Sequence, residues 1–265
     1  MFLHLLFIEI RKTLKHPALW LGLGVLVFLL ALTILVDHLL LARGPRGASG
    51  GLENDLLLGL AFFNWLGILV YAVTGAVIAA FDYPDRSLQL WLTRGVPRAL
   101  LLSARLTTIL FFGWLIVCFA VAAILGLSAL SRTLIFGTVD STNLELTALP
   151  LATLRVFWSS LPYLALTVLL AILSRSPLFA AGGTIVYGTV VEQFAPALAE
   201  RLPWFIHYLP ASLAQVLQNG NTAIDRSVAA AARQPHGQAI LLIGLIFLFL
   251  SLASLAVFSR QDLGG

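Results

Sequence analysis

The feature that most constrains this chain is a series of long apolar runs separated by short connections. A helix needs about 20 mostly apolar residues to cross the hydrocarbon core of a bilayer. Roughly six segments approach that length: 18–41, 57–81, 103–130, 149–173, 178–195 and 238–258. The fifth is short and turns polar at its end. A β-barrel would be written in alternating strands of about ten residues, not in unbroken runs. Composition agrees, with 60% hydrophobic and 11% charged residues, against roughly 25% charged in an average soluble domain. An ordinary soluble protein, a disordered tail and a fibrous repeat are all excluded. The expected fold is an all-α polytopic membrane protein of six transmembrane helices, a single transmembrane domain over 1–265.

Loop charges set the expected orientation. With the N-terminus inside, the inner segments carry nine bases: Arg11, Lys12, Lys15, Arg86, Arg94, Arg98, Arg105, Arg175 and Arg260. The outer side carries seven, Arg43, Arg46, Arg132, Arg155, Arg201, Arg226 and Arg233, together with most of the acids. Inner loops are shorter and so more densely basic. An even number of spans puts both termini on the inner side. The first apolar run is too long for a signal peptide and follows a whole amphipathic segment, so it reads as a retained span. One cysteine, Cys118, excludes an intramolecular disulfide and sits in an apolar run as an inert thiol.

Three segments are not spans. In 2–16, Leu3, Leu6, Phe7, Ile10 and Leu14 recur at helical spacing, while Glu9, Arg11, Lys12 and Lys15 fall mostly elsewhere around the helix. That pattern suits an interfacial elbow helix with its bases at the headgroups; the alternative is a frayed juxtamembrane tail. His16-Pro17 breaks it, and Pro17 can open the next helix. In 82–102, Asp82-Tyr83-Pro84-Asp85 resembles a capped helix start. Leu88, Trp91 and Leu92 make a short apolar stripe, and Gly95 and Pro97 form a stop. A short inner helix over 83–94 could transmit force from a cytoplasmic partner or simply rest on the headgroups. The outer segment 196–237 mixes breakers such as Pro203 and Pro210 with Trp204, Phe205, Tyr208 and Leu213. It reads as re-entrant or interfacial helices.

No catalytic constellation is present. There is no GxxxxGK[ST] phosphate loop. Gly47-Ala48-Ser49-Gly50 fits the short pattern of a serine intramembrane protease but has no nearby spanning histidine to act as base. His4, His16, His38, His207 and His236 are scattered, without a zinc spacing. Polar side chains inside spans tend to face the protein interior or a water path. Candidates for a pathway or gate are Asn64, Ser159, Thr184, Tyr187, Glu192 and Gln193, with Thr74, Thr107, Thr108, Ser160 and Thr167 beside them. Glu192 is the most informative, because a carboxylate near a span end must be solvated, protonated or paired, for example with Arg201. Gly182 and Gly183 are read as sites of close helix packing.

The order of these segments resembles the membrane subunit of an ABC transporter, of the type-2 permease family of exporters. The resemblance is carried by Glu9-Ile10-Arg11-Lys12-Thr13-Leu14-Lys15-His16-Pro17 before the first span, by Asp82 to Arg98 in the inner loop, and by the tail Phe258-Ser259-Arg260-Gln261-Asp262. The inner loop departs from the family pattern at Arg86-Ser87, where many members have a Gly-Thr pair, and at Pro97-Arg98. The resemblance implies a dimer of permease subunits in the cell inner membrane, formed with a second identical copy or a paralogue. Each would dock on a separate ATPase subunit that binds ATP and Mg. It implies ATPase contact through Asp85, Arg86, Leu88, Trp91, Leu92 and Arg94 of a coupling helix, an elbow helix holding Glu9, Lys12 and Lys15, and outer helices closing the exit. This chain itself would carry no cofactor, bind no nucleic acid and catalyse nothing. The competing class is a membrane anchoring or assembly subunit that docks a partner without transporting.

Overall fold

A computed structural model describes residues 2–43, 51–83, 93, 95–194, 208–224 and 237–261. Regular structure among the described residues is helical, without strands. Helix α1 (Phe2–Lys15) ends where Pro17 opens α2 (Pro17–Arg43). His16 sits between them, and its Nδ1 accepts the Ala18 N–H at 3.2 Å, satisfying one orphan donor of the new helix. Then come α3 (Leu52–Ala80) and α4 (Arg98–Phe136). At 39 residues α4 outruns the expected span 103–130 at both ends, and at 1.5 Å per residue it extends well beyond a ~30 Å hydrocarbon core. Gly137, at φ +74°, ends it with its N–H on Thr133 O.

Helix α5 (Leu149–Ser174) holds Pro162 in its interior. It stops at Arg175, which takes a left-handed conformation, and Ser176 caps α6 (Pro177–Val186) by accepting the Phe179 N–H. A π-helical turn, Tyr187–Val191, and a last short stretch, Glu192–Phe194, continue α6. Next are α7 (Pro210–Asn219) with a tight turn Gly220–Ile224, and α8 (Gly237–Arg260).

Among the described residues, five helices are long and apolar enough to cross a membrane: α2, α3, α4, α5 with its preceding turn, and α8. The segment expected at 178–195 is helical from 177 to 194, with Pro177–Val191 as its apolar part. Fifteen residues rise about 22 Å, less than the ~30 Å of the hydrocarbon core.

Helix α3 is the axis of the bundle. It packs against α2, α4, α5 and α6, while α5 also packs against α7 and α8. Phe63, Leu56, Leu60, Phe112, Ile109 and Ile116 are fully buried between them. Outward, α2 exposes Trp20, Leu21 and Phe28, and α8 exposes Leu241, Leu245 and Phe249. Apolar surface on this scale is untenable in water and natural against lipid tails. Gly183 does permit a close approach, since a Cβ there would lie 2.8 Å from Leu170 Cδ1. Gly182 faces open space and packs on nothing.

Hydrogen bonds assign the bundle two ends. At one, α1, the C-terminus of α3, the start of α4 and the end of α8 converge: Lys12 meets Asp82, and Arg98 donates to Ser259 O and Gln261 O at 2.8 Å. Gln261 Nε2 reaches Ile172 O near the end of α5 at 2.6 Å. At the other end, Leu52 N donates to Asp140 O, Glu145 N to Ile224 O, and Arg155 to Gly220 O.

Candidate functional site

Many of the polar side chains of the interior fall into three groups, each joining different helices. The first lies at the end holding α1. Asp82, buried at the C-terminus of α3, receives both Lys12 from α1 and Arg105 from α4. Arg105 also donates to Ala79 O at 3.0 Å, and its Nε stands 3.5 Å from Glu9 Oε1. Burial pushes the Glu9 carboxyl above the ordinary glutamate range, against the opposing pull of Arg105 and Lys12. Lys12 also sits over the Phe81 ring, 5.2 Å from its centroid.

This group sets how α1 sits on the bundle. Its buried face is Leu5, Glu9 and Thr13, while Leu3 and Phe7 are 76% and 63% exposed. Leu3 and Phe7 point away from the bundle, Phe2 and Ile10 pack against its core, and Glu9 and Lys12 turn inward to the charge cluster. The physical reason is Arg105: a buried guanidinium needs carboxylates, and the nearest helix supplies one. Lys15 does stay exposed. Asp82, expected as a helix cap, is the centre of the cluster. The coupling segment 83–94 and its residues Asp85, Arg86, Leu88, Trp91, Leu92 and Arg94 lie outside the described residues, apart from Tyr83 and Thr93 at its edges.

The second group is a stripe on α5. Ser159, Tyr163 and Thr167 follow one another at spacings of four, and so share one face of the helix. Each meets a polar partner. Ser159 Oγ lies 3.3 Å from Asn64 Oδ1 on α3. Tyr163 OH donates to Glu192 Oε2 at 2.5 Å. Thr167 Oγ1 lies 3.0 Å from Thr184 Oγ1 on α6. Glu192 is buried, and its other oxygen accepts the Ala211 N–H at 3.3 Å, at the first turn of α7. A carboxylate at a helix N-terminus is also favoured by the helix dipole. Tyr187 adds a further hydrogen bond to Glu192. The carboxylate is therefore held by donors and a helix end with no cation among its described partners; Arg201 lies outside the described residues. The π turn immediately precedes Glu192 and carries Tyr187. Its Gly188 lets α6 close on α3, since a Cβ there would lie 2.9 Å from Ile68 Cδ1.

Five of the six expected path residues, Asn64, Ser159, Thr184, Tyr187 and Glu192, thus line one seam between α3, α5 and α6. The Gln193 side chain lies outside the described set. Thr107 and Thr108 do not join; they bond to Ser103 O and Ala104 O of their own helix. Tyr163 was not singled out from the sequence, although its place midway between Ser159 and Thr167 was a usable signal.

The third group was not anticipated. His38, Asp55 and Arg132, from α2, α3 and α4, are all buried at the end away from α1. Arg132 grips Asp55 bidentately, Nε to Oδ2 at 2.5 Å and Nη2 to Oδ1 at 2.6 Å, and reaches Gly51 O at 3.1 Å. His38 Nε2 lies 3.0 Å from Asp55 Oδ2, and its Nδ1 2.7 Å from Ser131 Oγ. Asp37, His38 and Asp55 bring ligand atoms within 4.8 Å of one another, close enough for a metal ion. The guanidinium already bonds both Asp55 oxygens, so the set fits an ion-pair clamp better than a metal centre. No protein-family model matches the chain, and no curated protein matches it.

Proposed function

We propose that this chain is the permease subunit of an ATP-driven ABC exporter. In this reading six crossings per subunit form a substrate path as a dimer, with a second identical or paralogous copy. A separate cytoplasmic ATPase supplies the energy, and this chain performs no catalysis itself. The short α6 counts as the sixth crossing, with α7 covering the outer part of the depth that α6 does not reach. Both termini and α1 face the cytoplasm, in the inner membrane.

One observation carries the reading: both ends of the inner loop are rigidly mounted. Asp82 is fixed by Lys12 and Arg105 just before the segment, and Arg98 is fixed to the C-terminal tail just after it. A short segment whose two ends are tied to α1, α3, α4 and α8 passes a push on itself to four helices at once. That is what coupling to a cytoplasmic motor requires. The polar seam along α5 supports a path, since buried hydroxyls and a carboxylate at membrane depth are costly unless used.

The test is co-purification. The full chain, co-expressed with its cognate ABC-type ATPase, is expected to retain that ATPase. Leu88→Asp or Trp91→Asp is expected to release it without changing the thermal stability of the membrane subunit. Unchanged ATPase retention in both variants would remove the docking assignment. Retention with no ATP-dependent flux in liposomes would favour the anchoring subunit.

A further inference from the structure

We propose that the corner between α1, α2 and α4 is a discrete binding site for one anionic diacyl phospholipid of the leaflet that α1 lies in. The inference does not rest on the transport reading. Two adjoining surfaces make the site. The first is the outward face of α1, where Arg11 and Lys15 are exposed and make no ion pair among the described residues. Lys12, by contrast, is taken by Asp82. Arg11 and Lys15 are four residues apart and so stand one above the other on the helix. His4 lies on the same face, lining the same shallow depression. A fork of guanidinium donors with a neighbouring ammonium suits a phosphodiester.

The second surface is an apolar groove of about 560 Å³ running between α2 and α4, lined by Trp20, Gly24, Val27, Phe112, Leu115 and Phe119. Leu14, next to Lys15, closes its near end. The Trp20 indole N–H donates to Leu14 O at 2.8 Å, which fixes the ring across the corner where the two surfaces join. A Cβ at Gly24 would meet nothing within 4 Å, so the groove is open there because a side chain is missing. The cationic face and the apolar groove are thus neighbours at the end of α1, where Lys15 follows Leu14, in the order that a phosphate and its acyl chains require.

Charge decides the occupant. A second copy of the chain seated on this face by two-fold symmetry would bring its own Arg11 and Lys15 against these, and like charges opposed across an interface disfavour it. A zwitterionic lipid would fill the groove but offer the bases no net charge. An anionic phospholipid satisfies both surfaces.

Native mass spectrometry of the full chain in detergent, titrated with dioleoyl phosphatidylglycerol or dioleoyl phosphatidylcholine, tests this. The wild type is expected to hold one phosphatidylglycerol per chain about tenfold more tightly than phosphatidylcholine, as charge-assisted hydrogen bonds to the phosphate imply. The double variant Arg11→Gln/Lys15→Gln is expected to lose that preference. Gly24→Phe is expected to shed both lipids, and Leu115→Trp, which fills the groove from its other wall, gives an independent reading should the first variant not fold. Equal binding of the two lipids by the wild type would overturn the proposal, as would lipid retention in both filled variants. Displacement of phosphatidylglycerol by inorganic phosphate alone would reduce the site to an anion site. Loss of a homodimer in the filled variants, with lipid binding unchanged, would assign the groove to a second copy.

Discussion

Asp82 is held by two cations, and the structure says that they are far from equal. The Lys12 side chain is 31% exposed and that of Arg105 only 3%. Partly exposed ion pairs are screened by solvent and contribute about 0–1 kcal/mol. Removing one partner of a buried pair instead strands its charge, at a cost of about 3–5 kcal/mol. Arg105 has two buried carboxylates to strand, Asp82 and Glu9, and its loss also frees Ala79 O. Glu9 can lessen the loss by taking up a proton, because burial already raises its carboxyl. Arg105→Met is therefore expected to cost about 3 kcal/mol and Lys12→Met less than about 1, read as the shift in unfolding free energy in detergent. Adding Asp82→Asn to Arg105→Met is expected to recover part of the loss, since the stranded charge is gone. Equal effects of the two single variants, or a double variant no better than Arg105→Met alone, would refute the assignment of Arg105 as the buried keystone.

Other outcomes follow from the remaining groups. Arg132→Leu leaves Asp55 buried with only His38 beside it and is expected to cost about 3–5 kcal/mol, whereas Arg132→Leu/Asp55→Leu costs much less; a thermal unfolding cycle in detergent measures both. Glu192 faces three donors, from Tyr163, Tyr187 and Ala211. Glu192→Gln turns an amide against at least one of them and is expected to cost about 1–3 kcal/mol, with Tyr163→Phe relieving part of it in the double variant. Glu9 binds its proton more tightly folded than unfolded, so its contribution favours folding at low pH and declines as pH rises from the ordinary glutamate value through the raised one. Glu9→Gln is expected to gain stability relative to the wild type across that window and to be level with it below, as followed by unfolding at a series of pH values.

The helical fold was legible because lipid imposes a length and a composition on every crossing. The break at His16-Pro17 and the location of most polar seam residues were legible for local reasons, a proline and rare polar groups in apolar runs. The pairings were not. Lys12 and Asp82 are 70 residues apart, and Arg132 and Asp55 are 77 apart, so no spacing rule brings them together. His38 looked isolated because its partners come from other helices. Which face of α1 packs on the bundle was not legible for a more general reason. In a bilayer the outside is also apolar, so an amphipathic pattern does not say which face is buried, and the buried Arg105 decides it. The π turn and the end of α6 next to Glu192 are local features that hydropathy averages over.

On the proposed function, the loop between α3 and α4 serves a separate cytoplasmic motor. On that reading, the mass of the complex purified when the full chain is co-expressed with a cognate ABC-type ATPase, together with its ATP hydrolysis in liposomes, decides the matter. The account predicts two permease subunits with two ATPase subunits and hydrolysis that changes on assembly. A chain that purifies as a monomer and recruits no ATPase would contradict it.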